Sequence, residues 1–246
     1  APAFAGTWYI ENGDITVKAS GTEGKNKVSQ GNNPEVEDTN TIITNQKTDT
    51  ASSHTVTIDA GNDKVEVTLD NVNIKADSGS ALTSNGDVTL TLKGDNHLTG
   101  GISDTGNYGR NGIASTGSLT ISGGSTVTAN GGNGGNVSGD GISSNGSVTI
   151  SGGTVKAAGG DSKDGYGGDG IRSGGVVTIS GNTVNAAGGN GGKVGGYGIC
   201  SFDRVAISGG TVNAAGGNSS YGGGDGIRSS DIDLSGSLEL TAKAGS

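Results

Sequence analysis

The sequence predicts an all-β fold: a right-handed, single-stranded parallel β-helix of about 28–29 residues per coil, with an N-terminal cap. Three observations predict it. Nearly the same amino-acid sequence is repeated from residues 138, 167 and 195. Apolar and polar residues alternate within each repeat, and glycines occupy equivalent positions in all three repeats. A repeat of 20 to 50 residues is typical of solenoids, and strict alternation is typical of strands.

The period is measured by a Gly-Ile pair that recurs at steps of 29, 29, 28 and 28 residues. The pair begins at Gly112, Gly141, Gly170, Gly198 and Gly226. Each coil must turn at the same places, and glycine adopts left-handed backbone angles more freely than other residues. Glycines at fixed places therefore indicate stacked, equivalent turns.

Each copy holds three short apolar segments with strand periodicity, such as Val148-x-Ile150 and Val155-x-Ala157. Stacked coils place equivalent residues about 4.8 Å apart as neighbouring parallel strands, and parallel crossovers are almost always right-handed. The expected inward columns are Leu119, Val148, Val177 and Val205; Ile121, Ile150, Ile179 and Ile207; Val127, Val155, Val184 and Val212; and Ala129, Ala157, Ala186 and Ala214.

The pattern predicts two parts: an N-terminal cap with a polar loop over residues 1–54, and the β-helix over 55–246. The less regular segment 64–100 keeps the alternation, with Leu82 in place of the Gly-Ile isoleucine. A solenoid end exposes core and unpaired strand edge, so it must be covered. The expected cap residues are Phe4, Trp8, Tyr9, Ile10, Ile15 and Val17, with the polar loop at 20–50.

Composition narrows the class of protein. Only 29% of residues are hydrophobic and 52 are glycine, which is common in disordered chains, but disorder would not keep apolar residues in register. The net charge of −9 has no basic stripe, so no nucleic-acid partner is expected. No apolar run is long enough to cross a membrane, and Cys200 is the only cysteine, so no internal disulfide forms.

A first candidate site is the aspartate before the Gly-Ile pair, at Asp140, Asp169 and Asp225, with Asn111 and Tyr197 at the same place in other coils. Carboxylates in adjacent coils repel by about 1 kcal/mol in water and by more when buried. Bound calcium would offset this repulsion. Alternatively, each aspartate accepts a hydrogen bond from a turn N–H and faces solvent.

A second candidate site is the glycine-rich loop that precedes each Gly-Ile pair. Exposed aromatic rings are platforms for sugars, and amide groups can bind sugar hydroxyls. Alternatively, the asparagines form a ladder that satisfies turn backbone and the tyrosines stack on each other. The expected ligand-binding residues are Tyr108, Tyr166, Tyr197 and Tyr221, with Asn133, Asp161, Asn190 and Asn218.

Catalysis has little support, so the protein is not expected to be an enzyme. Neither His54 nor His97 has the sequence context of a catalytic triad. A calcium-dependent polysaccharide lyase would need carboxylates and a basic residue on one face, and its best approximation is Asp161, Lys163, Asp164 and Arg172. An ice-binding face would need a regular threonine lattice, which is interrupted on the third segment by Lys156, Asn185 and Asn213.

The stretch "VEVTLDNVNIKADSGSALTSNGDVTLTLKGDNHLTG", followed by coils of the form "DGI…VTISGGTV", resembles bacterial extracellular carbohydrate-binding-domain-containing β-helix proteins. It is also similar to glycine-rich surface adhesins of Gram-positive bacteria. The likeness covers residues 55–246. It implies a right-handed β-helix, calcium at the turns and non-catalytic binding of acidic polysaccharides. The aspartate of "GDGI" maps onto Asp140, Asp169 and Asp225, whereas Asn111, Tyr197 and the long tyrosine loops depart from the pattern.

The sequence therefore predicts a non-catalytic polysaccharide-binding or adhesive module of an exported bacterial surface protein. Its expected partner is a polysaccharide or cell-surface glycan, its expected location is secreted or on the cell surface, and calcium is its expected cofactor. The chain is expected to be a monomer or part of a larger surface protein. The main alternative is a rigid spacer without a ligand. A polysaccharide lyase and an ice-binding protein are less favoured alternatives.

Overall fold

The structure, a computed structural model, describes residues 6–246 and consists almost entirely of β-strands. It confirms the predicted fold class: a right-handed parallel β-solenoid of about seven turns. Phe4, a predicted cap residue, lies outside the described residues.

The N-terminal part combines an antiparallel meander with strands that already stack on the solenoid. β2, β3 and β4 pair antiparallel, whereas β1 pairs with β5 in parallel. The elements are β1 (Thr7–Tyr9), a short 3₁₀ helix (Ile10–Asn12), β2 (Ile15–Ala19), β3 (Lys25–Gln30), β4 (Val36–Thr39) and β5 (Ile42–Thr44).

The next two coils use two long strands, β6 and β8, that bend around a corner of the solenoid. The pairing of β6 with β8 shifts register between Asp59 and Lys64, at that corner. The elements are β6 (Val56–Asp70), β7 (Asn73–Lys75), β8 (Leu82–Lys93) and β9 (Asp95–Thr99).

Five regular coils follow, each with three strands. These are β10 (Ile113–Ser115), β11 (Leu119–Gly123), β12 (Thr126–Asn130), β13 (Ile142–Ser144), β14 (Val148–Ile150), β15 (Thr154–Ala158), β16 (Ile171–Ser173), β17 (Val177–Ile179), β18 (Thr183–Ala187), β19 (Ile199–Ser201), β20 (Arg204–Ile207), β21 (Gly210–Ala215), β22 (Ile227–Arg228), β23 (Asp231–Leu234) and β24 (Leu238–Lys243).

The strands stack in the register that the sequence columns predict. For example, Ile121 pairs with Ile150 and Ile150 with Ile179, always in parallel. First and second strands belong to a 17-stranded sheet, and third strands to a seven-stranded sheet. The inward columns are fully buried, with exposures of 0–2% over the regular coils from Leu119 to Ala214. The core is therefore a narrow apolar column along the axis.

A serine column adds hydrogen bonds between coils. The hydroxyls of Ser144 and Ser173 donate to the carbonyls of Gly117 and Gly146 in the preceding coil, each at 2.7 Å. Ser201 continues the column by donating to the Gly175 carbonyl at 2.8 Å. These buried hydroxyls are thus satisfied, and they fix the stagger of one coil on the next.

The parallel stacking crosses the predicted boundary at residue 55. β2 pairs in parallel with the first part of β6, and β5 pairs in parallel with its last part. Residues 15–19 and 42–44 therefore form an incomplete coil, and the polar loop predicted for residues 20–50 contains the strands β3, β4 and β5. The alternation was hidden because polar residues occupy inward positions: Asn26, Gln30 and Asp38 are buried.

The other predicted cap residues differ in burial. Ile10, Ile15 and Val17 are buried in the core cluster, and Trp8 packs against it while its indole N–H donates to Asp38 at 2.9 Å. Tyr9 remains 40% exposed.

The repeated glycines serve close approach more than left-handed angles. At Gly188 an added Cβ would lie 2.0 Å from the Gly196 carbonyl oxygen, and its φ is not positive. The Gly-Ile glycines behave alike, since a Cβ at Gly141 would meet backbone atoms of neighbouring strands at 2.7–2.8 Å. The expected left-handed conformation occurs instead at the start of the third strand: Gly210, the first residue of β21, has φ 84°, and Asn182, just before β18, has φ 62°.

Candidate functional site

The aspartates before the Gly-Ile pairs form a ladder of hydrogen bonds between coils. The Asp140 backbone N–H donates to the Asn111 side-chain oxygen at 2.8 Å, and the Asp169 N–H donates to Asp140 at 2.7 Å. The Tyr197 N–H continues the ladder by donating to Asp169 at 2.8 Å. The side chains thus accept from backbone N–H groups, as one sequence interpretation held, but from those of the next coil.

The ladder is an electrostatically strained part of the fold. Burial, and after it the neighbouring Asp169 carboxylate, raise the pKa of Asp140 from 3.8 to about 7. Burial also raises the pKa of Asp169, although that carboxylate pairs with Arg172 at 3.1 Å. At neutral pH the two carboxyl groups therefore hold a proton more tightly than exposed aspartates do.

These carboxylates do not fit a calcium site on their own. Asp140 and Asp169 each use one oxygen to accept a backbone N–H, and the second oxygen of Asp169 contacts Arg172. Tyr197 separates Asp169 from Asp225, which pairs with Arg228 at 3.3 Å. No group of three or more potential metal-binding side chains occurs within residues 6–246. Calcium binding at Asp140, Asp169 and Asp225 stays a prediction.

The ladder predicts an unusual pH dependence of stability. Because the pKa of Asp140 is higher in the folded protein than in the unfolded chain, folding takes up protons between about pH 4 and pH 7. Stability from this group is therefore greatest below pH 4 and is lost as the pH rises to 7. We expect Asp140→Asn to raise the melting temperature at pH 8, by roughly 2–4 °C per kcal/mol gained, and to flatten its fall between pH 5 and 8.

Asp161→Asn is the matched control, because Asp161 occupies an exposed position in the equivalent ladder of the loops. The melting temperatures of wild type and both variants are measured by circular dichroism between pH 5 and pH 8. If the two variants shift the melting temperature equally, or if Asp140→Asn lowers it at pH 8, the buried-carboxyl interpretation is wrong.

The asparagine column of the loops is also a ladder. The Asp161 N–H donates to Asn133 at 2.9 Å, the Asn190 N–H to Asp161 at 2.8 Å, and the Asn218 N–H to Asn190 at 2.9 Å. All four side chains are exposed, so they stabilise the loop stack and still face solvent. The sequence predicted these residues as ligand contacts, and the ladder gives each of them a structural role as well.

The four tyrosines predicted as ligand contacts do not form one row along the loops. Isolated parallel bridges join Tyr108 to Val137, Val137 to Tyr166, and Tyr166 to Val194. Tyr197 lies in the aspartate ladder under the Arg228 guanidinium, which is 5.2 Å from its ring centroid.

The exposed row is therefore an alternation of tyrosine and valine, Tyr108, Val137, Tyr166 and Val194, here called the Tyr–Val stripe. Its members are 36–50% exposed. Each stands four residues before a Gly-Ile glycine, where Gly222 stands in the last coil. Counting back from those glycines would have found the stripe and left out Tyr221, which lies one residue earlier and is 85% exposed.

A second surface feature is a groove of about 440 Å³ that follows the solenoid axis and crosses the third strands β12, β15, β18, β21 and β24. The sequence analysis did not predict its lining residues as a site. They are alternate residues of each third strand, so strand periodicity places them on the outward face. They include an outer row of Thr128, Lys156, Asn185, Asn213 and Thr241, and an inner row of Asn130, Ala158, Ala187, Ala215 and Lys243.

One of the two basic residues considered for a lyase, Arg172, is already engaged by other side chains. Arg172 pairs with Asp169 and lies over the Phe202 ring at 4.7 Å. A guanidinium held by an ion pair and an aromatic ring is poorly suited to act as a base, because it stays protonated.

Hydroxyl-bearing residues also stack on the second strands, a feature that the sequence reading of the third strands missed. Thr120, Thr149 and Thr178 are in register, and each is followed two residues later by a serine. An ice-binding role nevertheless has no further observation in its favour.

The comparisons agree with this architecture. A family model described as a Beta helix repeat matches residues 148–171 and 205–225, which cover two of the regular coils in part. The match covers only these two segments, and it agrees with the β-helix fold that the stacked strands show. No curated protein and no solved structure matches the chain significantly. Among residues 6–246 there is no helix long and apolar enough to cross a membrane.

Proposed function

We propose that this β-helix repeat protein is a non-catalytic polysaccharide-binding module exposed outside the cell. The observation that carries the proposal is the Tyr–Val stripe on the outer surface of the loops. Four large apolar side chains in neighbouring coils remain 36–50% exposed there, whereas the inward columns from Leu119 to Ala214 are 0–2% exposed. Contiguous exposed apolar surface of this kind commonly marks an interaction site.

The spacing of the rings suits a linear sugar chain. Tyr108 and Tyr166 are two coils apart, which separates their backbones by about 10 Å. That length is close to two sugar units of an extended polysaccharide, so each tyrosine can contact every second ring. The aromatic faces offer apolar contact to sugar C–H groups, and the phenol hydroxyls supply polar contacts.

The polar surroundings support orientation of such a chain. Asn133, Asp161 and Asn190 stand exposed on the same loops, and their ladder holds these loops at a fixed spacing. A rigid surface loses little entropy on binding, which helps a weak, extended contact.

The test is the double variant Tyr108→Ala/Tyr166→Ala. Both rings are half exposed, so stability should change little, while affinity for a soluble polysaccharide should fall about tenfold because two stacking contacts are lost. Titration calorimetry with xyloglucan, a neutral polysaccharide, measures the affinity. Tyr9→Ala, which removes a similarly exposed ring from the N-terminal cap, is the control.

Two outcomes would contradict the proposal. Wild-type protein that binds no polysaccharide in a broad screen would favour the rigid-spacer alternative. A double variant that binds as tightly as wild type would remove the Tyr–Val stripe as the site.

A further inference from the structure

We infer that the groove along the third strands is a separate binding site for an extended, carboxylate-bearing polysaccharide that lies parallel to the solenoid axis. The inference deepens the proposed function and rests on it, because it assigns a second glycan site to the same protein. The groove and the Tyr–Val stripe use different residues, so each site can be tested without the other.

The shape of the groove follows from side-chain size on successive coils. The inner row presents only the methyl groups of Ala158, Ala187 and Ala215 over three coils, and it ends at larger residues, Asn130 and Lys243. The outer row carries longer side chains along the same five strands. The result is a shallow groove whose surface is mostly apolar, with the polar ends of the longer side chains along one side, here called the wall; the inner row is here called the floor.

The period of the groove matches a sugar chain. Each coil contributes one floor residue and one wall residue, and successive coils lie about 4.8 Å apart. This step is close to the rise of one ring along an extended polysaccharide. A chain in the groove can therefore place one ring on each coil, with its apolar C–H face on the alanine methyls.

The wall offers donors and acceptors at that period. The Asn213 side-chain amide donates to the Asn185 side-chain oxygen at 2.9 Å. This bond uses one group of each residue and orients both amides, leaving N–H groups of Asn185 and the oxygen of Asn213 for a ligand. Sugar hydroxyls both donate and accept, so they fit such a mixed wall.

The charge of the groove favours a carboxylate-bearing chain. Lys156 and Lys243 line the groove, and neither forms an ion pair within residues 6–246, although the protein carries a net charge of −9. Free ammonium groups on an acidic protein are attractive partners for anions. An uronate chain supplies the hydroxyls, the C–H faces and the carboxylates that these three features would bind.

The first test places a charge on the groove floor. Ala187→Glu introduces a carboxylate at an exposed floor position, where it repels an acidic chain and blocks the contact with the methyl group. We expect its affinity for oligogalacturonides to fall at least tenfold, with an unchanged melting temperature. Ala114→Glu makes the same change on the outward face of a first strand, beside Thr83 and Ser143, and should bind like wild type.

The second test removes the cations. Lys156→Gln/Lys243→Gln should weaken oligogalacturonide binding about tenfold, because charge-assisted contacts are lost. It should leave xyloglucan binding at the Tyr–Val stripe unchanged. Lys18→Gln/Lys47→Gln, which removes two exposed lysine charges from the N-terminal part of the protein, is the charge-matched control.

The outcomes separate this inference from the proposed function. If Ala187→Glu binds oligogalacturonides as tightly as wild type, or if only the tyrosine variants lose binding, the groove is not a site and the proposed function stands. If wild type binds no glycan at all, both fail together. A fatty acid is titrated as a further probe. If wild type binds the fatty acid, and the lysine and floor variants lose that binding but keep their affinity for oligogalacturonides, the groove binds an acyl chain and the inference is wrong.

Discussion

Replacing Ile150 with aspartate is expected to prevent the chain from folding. Ile150 is fully buried and stacks between Ile121 and Ile179 in the axial core. A carboxylate there would have apolar neighbours on both sides, and a change of this kind costs on the order of 5 kcal/mol or more. That is comparable to the whole stability of an ordinary domain. Circular dichroism and the yield of soluble protein measure the effect.

The control is the next residue along the strand. Thr149→Asp makes the same new charge at an outward position, since Thr149 stacks on Thr120 and Thr178 on the outer face. We expect it to fold with a loss of about 1 kcal/mol or less. Equal damage at the two positions would overturn the assignment of inward and outward faces.

The second large effect is expected for Gly188→Ala. The added Cβ would lie 2.0 Å from the carbonyl oxygen of Gly196 and 2.3 Å from its carbon, both backbone atoms of the same coil's return path. Because the contact involves backbone, a rotamer change cannot relieve it, and the hydrogen bond from the Gly196 N–H to the Gly189 carbonyl at 2.8 Å would be displaced. We expect a loss of several kcal/mol, roughly 3–5, measured by chemical denaturation.

Gly181→Ala is its matched control. A Cβ at Gly181 meets no atom within 4 Å, and its φ is not positive, so alanine should be neutral or slightly stabilising. Similar losses for the two variants would mean that the repeated glycines are not required for close approach between segments of the backbone.

The regular coils were predictable because one signal, the Gly-Ile register, fixes turns, strands and inward columns together. Ile121, Ile150 and Ile179 could be placed in the core from spacing alone, and the structure stacks them as expected. The N-terminal coil was not predictable, because buried Asn26 and Asp38 replace the apolar residues that mark inward positions elsewhere. Their hydrogen bonds depend on distant partners: Asn26 donates to Thr41, and Asp38 accepts from Trp8.

The candidate sites were predictable only in part. The sequence pointed to the tyrosine loops, but it did not show that Tyr197 lies in the aspartate ladder or that Val137 and Val194 stack with Tyr166. The groove escaped notice because alanine, lysine and asparagine on a strand are ordinary surface residues when each is taken singly. Only the stacking of five coils turns them into a continuous channel with free cations.

The central claim, that the solenoid binds an extended polysaccharide along its axis, is tested most directly by the dependence of affinity on chain length. Titration calorimetry with oligogalacturonides of increasing length measures it. Because the groove crosses five third strands at about 4.8 Å per coil, affinity should rise with each added sugar and level off at about five rings. Affinity that is absent at every length, or already complete with a single sugar, would contradict the account.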